Sequence, residues 1–354
     1  MNSERLLLVG NPEAIQVGAH LYEGAQGLGI PARLCDSRQA FEAPRWLVRL
    51  NWHLRGRRPA RLRSFSELVV QACRDFHPTR LLSTGIAPVD KKALMAIRDL
   101  GVTRLNFLTD DPWNPLHRAP WFLEALPHYD HVFSPRQSNL DTLRVLGCRE
   151  VSYLPFAYAP SQHYCERAAS EEETRLSSDV IFVGGADRDR FPLAAALIAA
   201  GLRVALYGAY WNRYPDAGKH YRGQADPPTL RKATGAASIA LCLVRRANRD
   251  GHVMRSFEIP AIGACMLVED TAEHREILGP DGEAVVYFRS IPEMIDKSRW
   301  LLDRPVERQR LADAAHARIT AGRHTYQDRL AAMLGLHTNN HEDRYSSPRP
   351  LSCV

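Results

Sequence analysis

Short apolar runs alternate with helical periodicity along most of the chain. In the first half RLLLVG (5–10), ARLCD (32–36), RLLSTG (80–85), RLNFLTD (104–110), HVFSP (131–135) and VSYLP (151–155) have strand length and little polar alternation. Between them, 65–77, 89–100 and 137–146 carry apolar residues at helical spacing. Such alternation predicts parallel strands joined by crossover helices, in a sheet covered on both faces. After a polar, acidic stretch at 156–178 the pattern restarts with DVIFVGG (179–185), RVALYG (203–208), ASIALCLV (237–244), ACMLVED (264–270) and AVVYF (284–288). The clearest helical patterns follow at 291–303 and 306–322.

The expected fold class is α/β, with two tandem doubly wound, Rossmann-like domains facing a cleft. The expected boundaries are a first domain at 1–157, a linker at 158–178 and a second domain at 179–336. Residues 337–354 lack periodicity and read as a disordered tail. No short internal repeat is present. The length of 354 residues also favours two domains over one.

Composition changes this picture little. Hydrophobic residues make up 45% and charged residues 24%, as in ordinary globular proteins. No apolar run reaches the roughly 18–20 residues that span a bilayer. The opening MNSERLLLVGNPEA reads as a strand and its loop, not a signal peptide. Seven cysteines lie dispersed, with no paired spacing. Cys35, Cys242 and Cys265 sit in apolar runs as small core residues. The dispersed, odd set points to a reducing cytoplasm.

Charge adds one feature. The net charge is +6, and part of it is concentrated in RWLVRLNWHLRGRRPARLRS (45–64), which holds no acid. Trp46, Leu47, Leu50 and Leu54 recur there at helical spacing, with Arg45, Arg49 and Arg55 among them. A helix whose stripe faces its own sheet is favoured, about two to one, over an interfacial helix on anionic lipid. The second reading would add peripheral contact with the inner face of the membrane. Nucleic acid is not expected as a partner, because the run lacks a binding motif and has only two tryptophans for stacking.

In an open parallel sheet, ligands bind beyond the carboxyl ends of the strands, which selects a few loops. VGGADRDRFPL (183–193) places Gly184 and Gly185 before a helix start, with Arg188 and Arg190 suited to phosphate oxygens. By itself this is also an ordinary turn, and Asp187 opposes an anion unless it points away. LVRRANRDGHVMRSFE runs from the strand at 237–244 into a helix near Met254. Gly251 lets the backbone turn inward, and amides from His252 to Ser256 suit a diphosphate that Arg255 neutralises. Glu258 is placed to accept ribose hydroxyls, with helix-dipole pairing as the equal alternative. In the first half, Asp110 and Asp111 of LTDDPWNPLH (108–117) would reach an acceptor or donor hydroxyl, or else form an Asx turn before Pro112. Asp-Asp-Pro is not a metal-binding Asp-x-Asp, and the histidines do not cluster, so no metal is expected. Gly10, Asn11 and Gly85 would line the acceptor side or serve only as turns.

RSFEIPAIGACMLVED, followed by EIL, GEAVVYF, a long helical stretch and RHTYQDRL, resembles the C-terminal half of the spore-maturation CgeB-like glycosyltransferases. HYDHVFSPRQSNLDTLRVLGCREVSYLPFAYAP (128–160) resembles the segment leading into that family's domain linker. The likeness runs from about residue 100 to 332. That family is similar to GT-B glycosyltransferases of the retaining E-x7-E type. The resemblance implies an acceptor domain, a nucleotide-sugar domain, and transfer from a nucleoside-diphosphate sugar, a UDP-sugar being the expected co-substrate, with no other cofactor. It implies Glu258 on the ribose, with Ala261 and Gly263 after it in the helix. It also implies that Asp250, with the backbone of Gly251 and His252, faces the donor sugar. Asp250 stands where the pattern has Glu. Arg188 and Arg190 would stand in for the basic pair on the pyrophosphate. The acceptor, whether glycan, protein or lipid-linked, is not named. The rival functions are a nucleotide-sugar epimerase and a non-catalytic nucleotide- or glycan-binding relative of the transferases. A tandem flavodoxin-like regulator would need a phosphoacceptor pocket with a downstream lysine, and that set is missing.

Overall fold

The computed structural model describes residues 4–336; the expected tail at 337–354 lies outside them. All eleven expected strands form: the one at 32–36 keeps its expected bounds, the others are shorter at one or both ends, and those expected from 104, 151 and 179 also start one residue earlier. They are β1 (Leu6–Gly10), β2 (Ala32–Asp36), β3 (Arg80–Thr84), β4 (Thr103–Phe107), β5 (His131–Ser134), β6 (Glu150–Tyr153), β7 (Ser178–Val183), β8 (Val204–Tyr207), β9 (Ala237–Cys242), β10 (Met266–Glu269) and β11 (Val286–Phe288). Two wholly parallel sheets result, ordered β2-β1-β3-β4-β5-β6 and β11-β10-β9-β7-β8. In the first sheet Leu6 aligns with Ala32 on one side and Arg80 on the other. In the second, Val180 aligns with Val204 and Ile239. The inner strands are buried, as LLLVG of β1 is throughout, because helices cover both faces, while the edge strands β2 and β6 stay partly exposed.

Each sheet has its own core. Leu7, Val69, Leu81, Ile97, Phe122 and Val132 belong to the first, and Val180, Trp211, Ile239, Leu267, Met294 and Leu311 to the second. The chain divides into two compact units that are not contiguous in sequence. The first comprises the residues up to Phe156, then Ala247–Asp250, then the stretch from Tyr326. The second comprises Ala157–Arg246 and Gly251–Thr325. Three features differ from the expected boundaries. The stretch 158–178 is not a loose linker: it belongs to the second unit, where Glu166 pairs with Arg231 at 2.6 Å and Ser170–Leu176 is helical. The helix Tyr326–Leu334 belongs to the first unit and packs on the helix Val17–Gly27. The four residues 247–250 also pack within the first unit.

The basic run at 45–64 is also different. It forms a helix, Arg45–Leu54, and then a turn in which Gly56 and Arg57 both take positive φ. A second helix starts at Leu62. The first helix rests on Leu47, Leu50 and Asn51, which share one side at 100° per residue. Trp46, Val48, Trp52 and Leu54 are exposed, at 67, 37, 45 and 75%. The favoured expectation of a stripe turned to the sheet therefore fails, because the apolar positions spread around the helix and four of them stand exposed.

Candidate functional site

In the second sheet the strand order reverses at β7, between β9 and β8. The crevice predicted for a ligand thus lies where β7 and β9 end, at Val183–Gly185 and Leu243–Arg245. Backbone strands meet closely there. A Cβ on Gly208 would come within 2.6 Å of Gly184 O, and Gly208 has φ +118°, so both demands select glycine. Gly184 N–H donates to Tyr207 O at 2.9 Å, Ala186 N–H to Ala209 O at 2.8 Å, and the Trp211 indole N–H to Gly184 O at 2.8 Å. These bonds fix the loop.

Asp187 folds back on this loop. Its Oδ1 accepts from the amides of Asp189 and Arg190 at 3.0 and 2.9 Å, and its Oδ2 lies 3.6 Å from Arg245 Nε. The amides of Gly185, Asp187 and Arg188 make no hydrogen bond among the described residues. Two of them, those of Asp187 and Arg188, are successive, and unspent amides just before a helix start suit an anion. Arg188 is exposed here and makes no ion pair among the described residues. Arg190 does not join it. Its side chain is buried over the Phe182 ring and donates to Gly185 O and Leu243 O, both at 3.4 Å. It braces the two loops from beneath, so the expected basic pair is split. Arg245, which the sequence did not single out, also lies at this loop, its Nη2 3.9 Å from where a Cβ on Gly185 would stand.

The loop after β9 is arranged differently from the expectation. The amides of Val253 and Ser256 are spent, on Ser256 Oγ at 3.1 Å and Val253 O at 3.0 Å. The Ser256 hydroxyl is buried and meets His274 Nε2 at 2.8 Å, so it does not face a ligand. His252 is buried too, its Nδ1 2.6 Å from Glu273. Gly251 has no positive φ; it is glycine because the Glu273 carboxyl group packs against its α-carbon, where a Cβ would collide. The left-handed turn falls instead on Arg249, at φ +53°. Asp250 packs in the first unit, where its Oδ1 meets Arg136 Nε at 2.5 Å with both side chains buried.

Arg255 and Glu258 behave as a pair. They open the helix Arg255–Ile262, which Gly263 ends in a left-handed cap. The Arg255 guanidinium is ion-paired with Glu258 and donates through Nε to Val183 O at 3.2 Å. That bond ties this helix start to the end of β7. Glu258 is 1% exposed, with His163 Nε2 3.5 Å from its other oxygen, whereas Arg255 keeps 28% of its side chain exposed. His163 lies in the stretch expected to be linker, which is why its role was not legible.

In the first unit Asp111 is buried and spent. Arg249 grips it at 2.6 and 3.0 Å, and it accepts from Trp113 N–H at 3.0 Å. That is the Asx turn, so Asp111 is withdrawn as a reacting group. Asp110 is partly exposed and makes no ion pair among the described residues. Its Oδ2 would lie 3.4 Å from a Cβ on Gly85, at the carboxyl end of β3. Asn11 bonds Glu13 N–H at 3.0 Å and acts as a turn residue.

Comparison with known proteins agrees with this architecture. Across 94% of this chain and 98% of its own, sucrose-phosphate synthase from Thermosynechococcus elongatus superposes with a TM-score of 0.70 at 14% identity. The chain has the GT-B fold. HepE from Anabaena, in complex with UDP-glucose, superposes at 0.60 with 12% identity over 93% of this chain and 98% of that one. A UDP-N-acetylglucosamine 2-epimerase from Listeria monocytogenes gives 0.58 at 12%, over 94 and 95%. Residues 188–335 match the family model for glycosyl transferase-like proteins. No curated protein matches the chain in sequence. One fold thus carries both transfer and epimerisation, and the residues must decide between them.

Proposed function

We propose that the chain is a glycosyltransferase using a nucleoside-diphosphate sugar, with UDP-sugars the first donors to test. The observation that carries this reading is the Arg255–Glu258 pair, tied to Val183 O at the strand-order reversal, inside the segment that matches the glycosyl transferase-like model. The unspent amides of Gly185, Asp187 and Arg188 supply a cradle for the diphosphate, with Arg188 and Arg245 as charge beside it. Arriving phosphate would draw Arg255 off Glu258, and the bared carboxylate would accept the ribose hydroxyls. One ion pair is exchanged for two ligand contacts, so neither charge is left buried alone.

In the reaction the bond from sugar C1 to the diphosphate oxygen breaks and its electron pair leaves with the nucleotide. The acceptor oxygen bonds to C1 on the face the diphosphate leaves and passes its proton to the departing diphosphate oxygen. Arginines and amides held in place stabilise the leaving charge. The proposal includes a metal-independent, retaining reaction, in keeping with the likeness to the CgeB-like and E-x7-E enzymes. Asp250 is not given a sugar contact, because Arg136 holds it. An unidentified acceptor is consumed, which an epimerase would not need.

The test is calorimetry and turnover with UDP-sugars in EDTA. Arg255→Ala should weaken UDP binding and lower kcat by about 10²–10³. Glu258→Gln should raise KM for the donor, with the thermal midpoint confirming that the protein is folded. Undiminished UDP binding in both variants would remove the site, and sugar inversion without acceptor would replace transfer by epimerisation.

A further inference from the structure

Outside the nucleotide site the least satisfied surface is the helix Arg45–Leu54 with its following turn. Of its exposed side, Val48, Trp52, Arg45, Arg49, His53 and Trp46 fall within about 160° of arc at 100° per residue. Two tryptophans therefore flank two arginines on one solvent-facing strip. Leu54, 75% exposed at the helix end, is not part of this strip: it falls at the angle of Leu47 and Leu50. Leu116, 65% exposed, stands beside the turn, because Arg57 donates to Pro115 O at 2.6 Å and Arg118 O at 2.8 Å and so holds that loop against it.

The charge around this strip has one sign. Seven arginines lie between residues 45 and 63, and no acid lies between Glu42 and Glu67. Arg61 and Arg63 reach those two carboxylates, at 3.1 and 3.0 Å. Among the described residues Arg45, Arg49, Arg55 and Arg58 make no ion pair. An adjoining groove of about 590 Å³ is lined by Arg58, Arg63, Arg74, Lys91 and Lys92 against three carboxylates. Solvent alone explains exposed arginines but not exposed tryptophans set between them. Indole rings and arginine stems both suit the boundary between headgroups and acyl chains, where the ring sits in the apolar edge and the guanidinium meets phosphate.

We propose that this strip docks the protein on an anionic bilayer surface, with Trp46 and Trp52 entering the boundary and Arg45, Arg49, Arg55 and Arg58 pairing with lipid headgroups. The occupant is committed by charge complementarity: a neutral or acidic protein groove would leave four arginines unmatched or the tryptophans wet. The proposal stands apart from the transferase reading. No helix among the described residues is long and apolar enough to cross a membrane, so this contact is peripheral.

The full chain is tested by sedimentation with vesicles of phosphatidylcholine alone or mixed with phosphatidylglycerol, at low and high salt. Binding to the mixed vesicles, with a blue shift of tryptophan emission, and its loss at high salt are expected. Trp46→Ser with Trp52→Ser should weaken binding about tenfold. Each of Arg45→Gln and Arg49→Gln should cost roughly fivefold. An unchanged thermal midpoint shows that these variants are folded, and unchanged UDP binding separates this test from the donor site. Equal binding to neutral vesicles, no binding to either, or vesicle binding untouched by the substitutions overturns the proposal. So does a double-stranded oligonucleotide that binds more tightly than the anionic vesicles.

Discussion

At the scale of single residues, Asp250 shows how far spacing carries an assignment. Its separation from Glu258 was legible in the sequence, and so was the helix on which Glu258 sits. Its partner was not, because Arg136 lies 114 positions away and only the folded chain brings them together. Both side chains are nearly dry, at 2 and 4% exposure. Removing one member strands the other, which costs about 3–5 kcal/mol, whereas replacing both with apolar groups is often near neutral. Arg136→Met should therefore lower the urea midpoint strongly, and Arg136→Met with Asp250→Leu should recover most of the loss. If the double variant is as unstable as the sum of the singles, the pair is not coupled and this account of Asp250 fails.

At the scale of elements, strands were legible because each is an apolar run bounded by glycine or charge, and a parallel sheet needs little else. Helix ends were less so: Arg45–Leu54 looked like a core helix from its leucines, but helical spacing says which residues align and not which way they turn. The network behind the proposed donor helix was not legible at all. It joins three elements, since His274 on the helix Ala272–Leu278 meets Ser256 on the helix Arg255–Ile262 and the carbonyl of Glu269 at the end of β10. A carbonyl only accepts, so Nδ1 carries the proton and Nε2 accepts from the Ser256 hydroxyl. Burial is the main cause that pushes the His274 pKa down to about 4. The folded state then binds this proton less readily than the unfolded chain, whose histidine titrates near 6.5. Its stabilising contribution is complete above about pH 6.5 and is lost as pH falls toward 4. His20, buried and stacked on Tyr326 with its pKa also lowered to about 4 by burial, acts in the same direction. Between pH 6.5 and 5 each should cost about 2 kcal/mol. Urea unfolding at the two pH values should show His274→Asn flattening the slope. A variant with the wild-type slope would mean that His274 is not held neutral.

At the scale of the whole molecule, the alternating pattern disclosed two domains, but a chain read in order suggests that each ends where the next begins. Here the helix Tyr326–Leu334, last among the described residues, returns to the first unit. It buries Tyr326, Leu330, Ala331, Met333 and Leu334. Its approach to the helix Val17–Gly27 is close enough that a Cβ on Gly24 would come 3.1 Å from Gln327 Cα. Arg329, buried, donates to Pro155 O at 2.8 Å and Phe156 O at 2.9 Å, the last residues of the first unit's long segment. Burial lowers the Arg329 pKa, yet the guanidinium stays charged, so its two carbonyl acceptors matter. Each large apolar side chain in this helix is worth about 1.5–3 kcal/mol, and three or four of them rival the 5–15 kcal/mol that holds an ordinary domain folded. A fragment ending at residue 156 should therefore fail to give a cooperative thermal transition, and joining residues 320–336 to it through a flexible linker should restore one. In the full chain Arg329→Met should remove the charge at little cost in volume but leave both carbonyls unmet, lowering stability by about 1–3 kcal/mol. A cooperatively folding 1–156 fragment would show that the returning helix is decoration on a finished domain rather than part of its core.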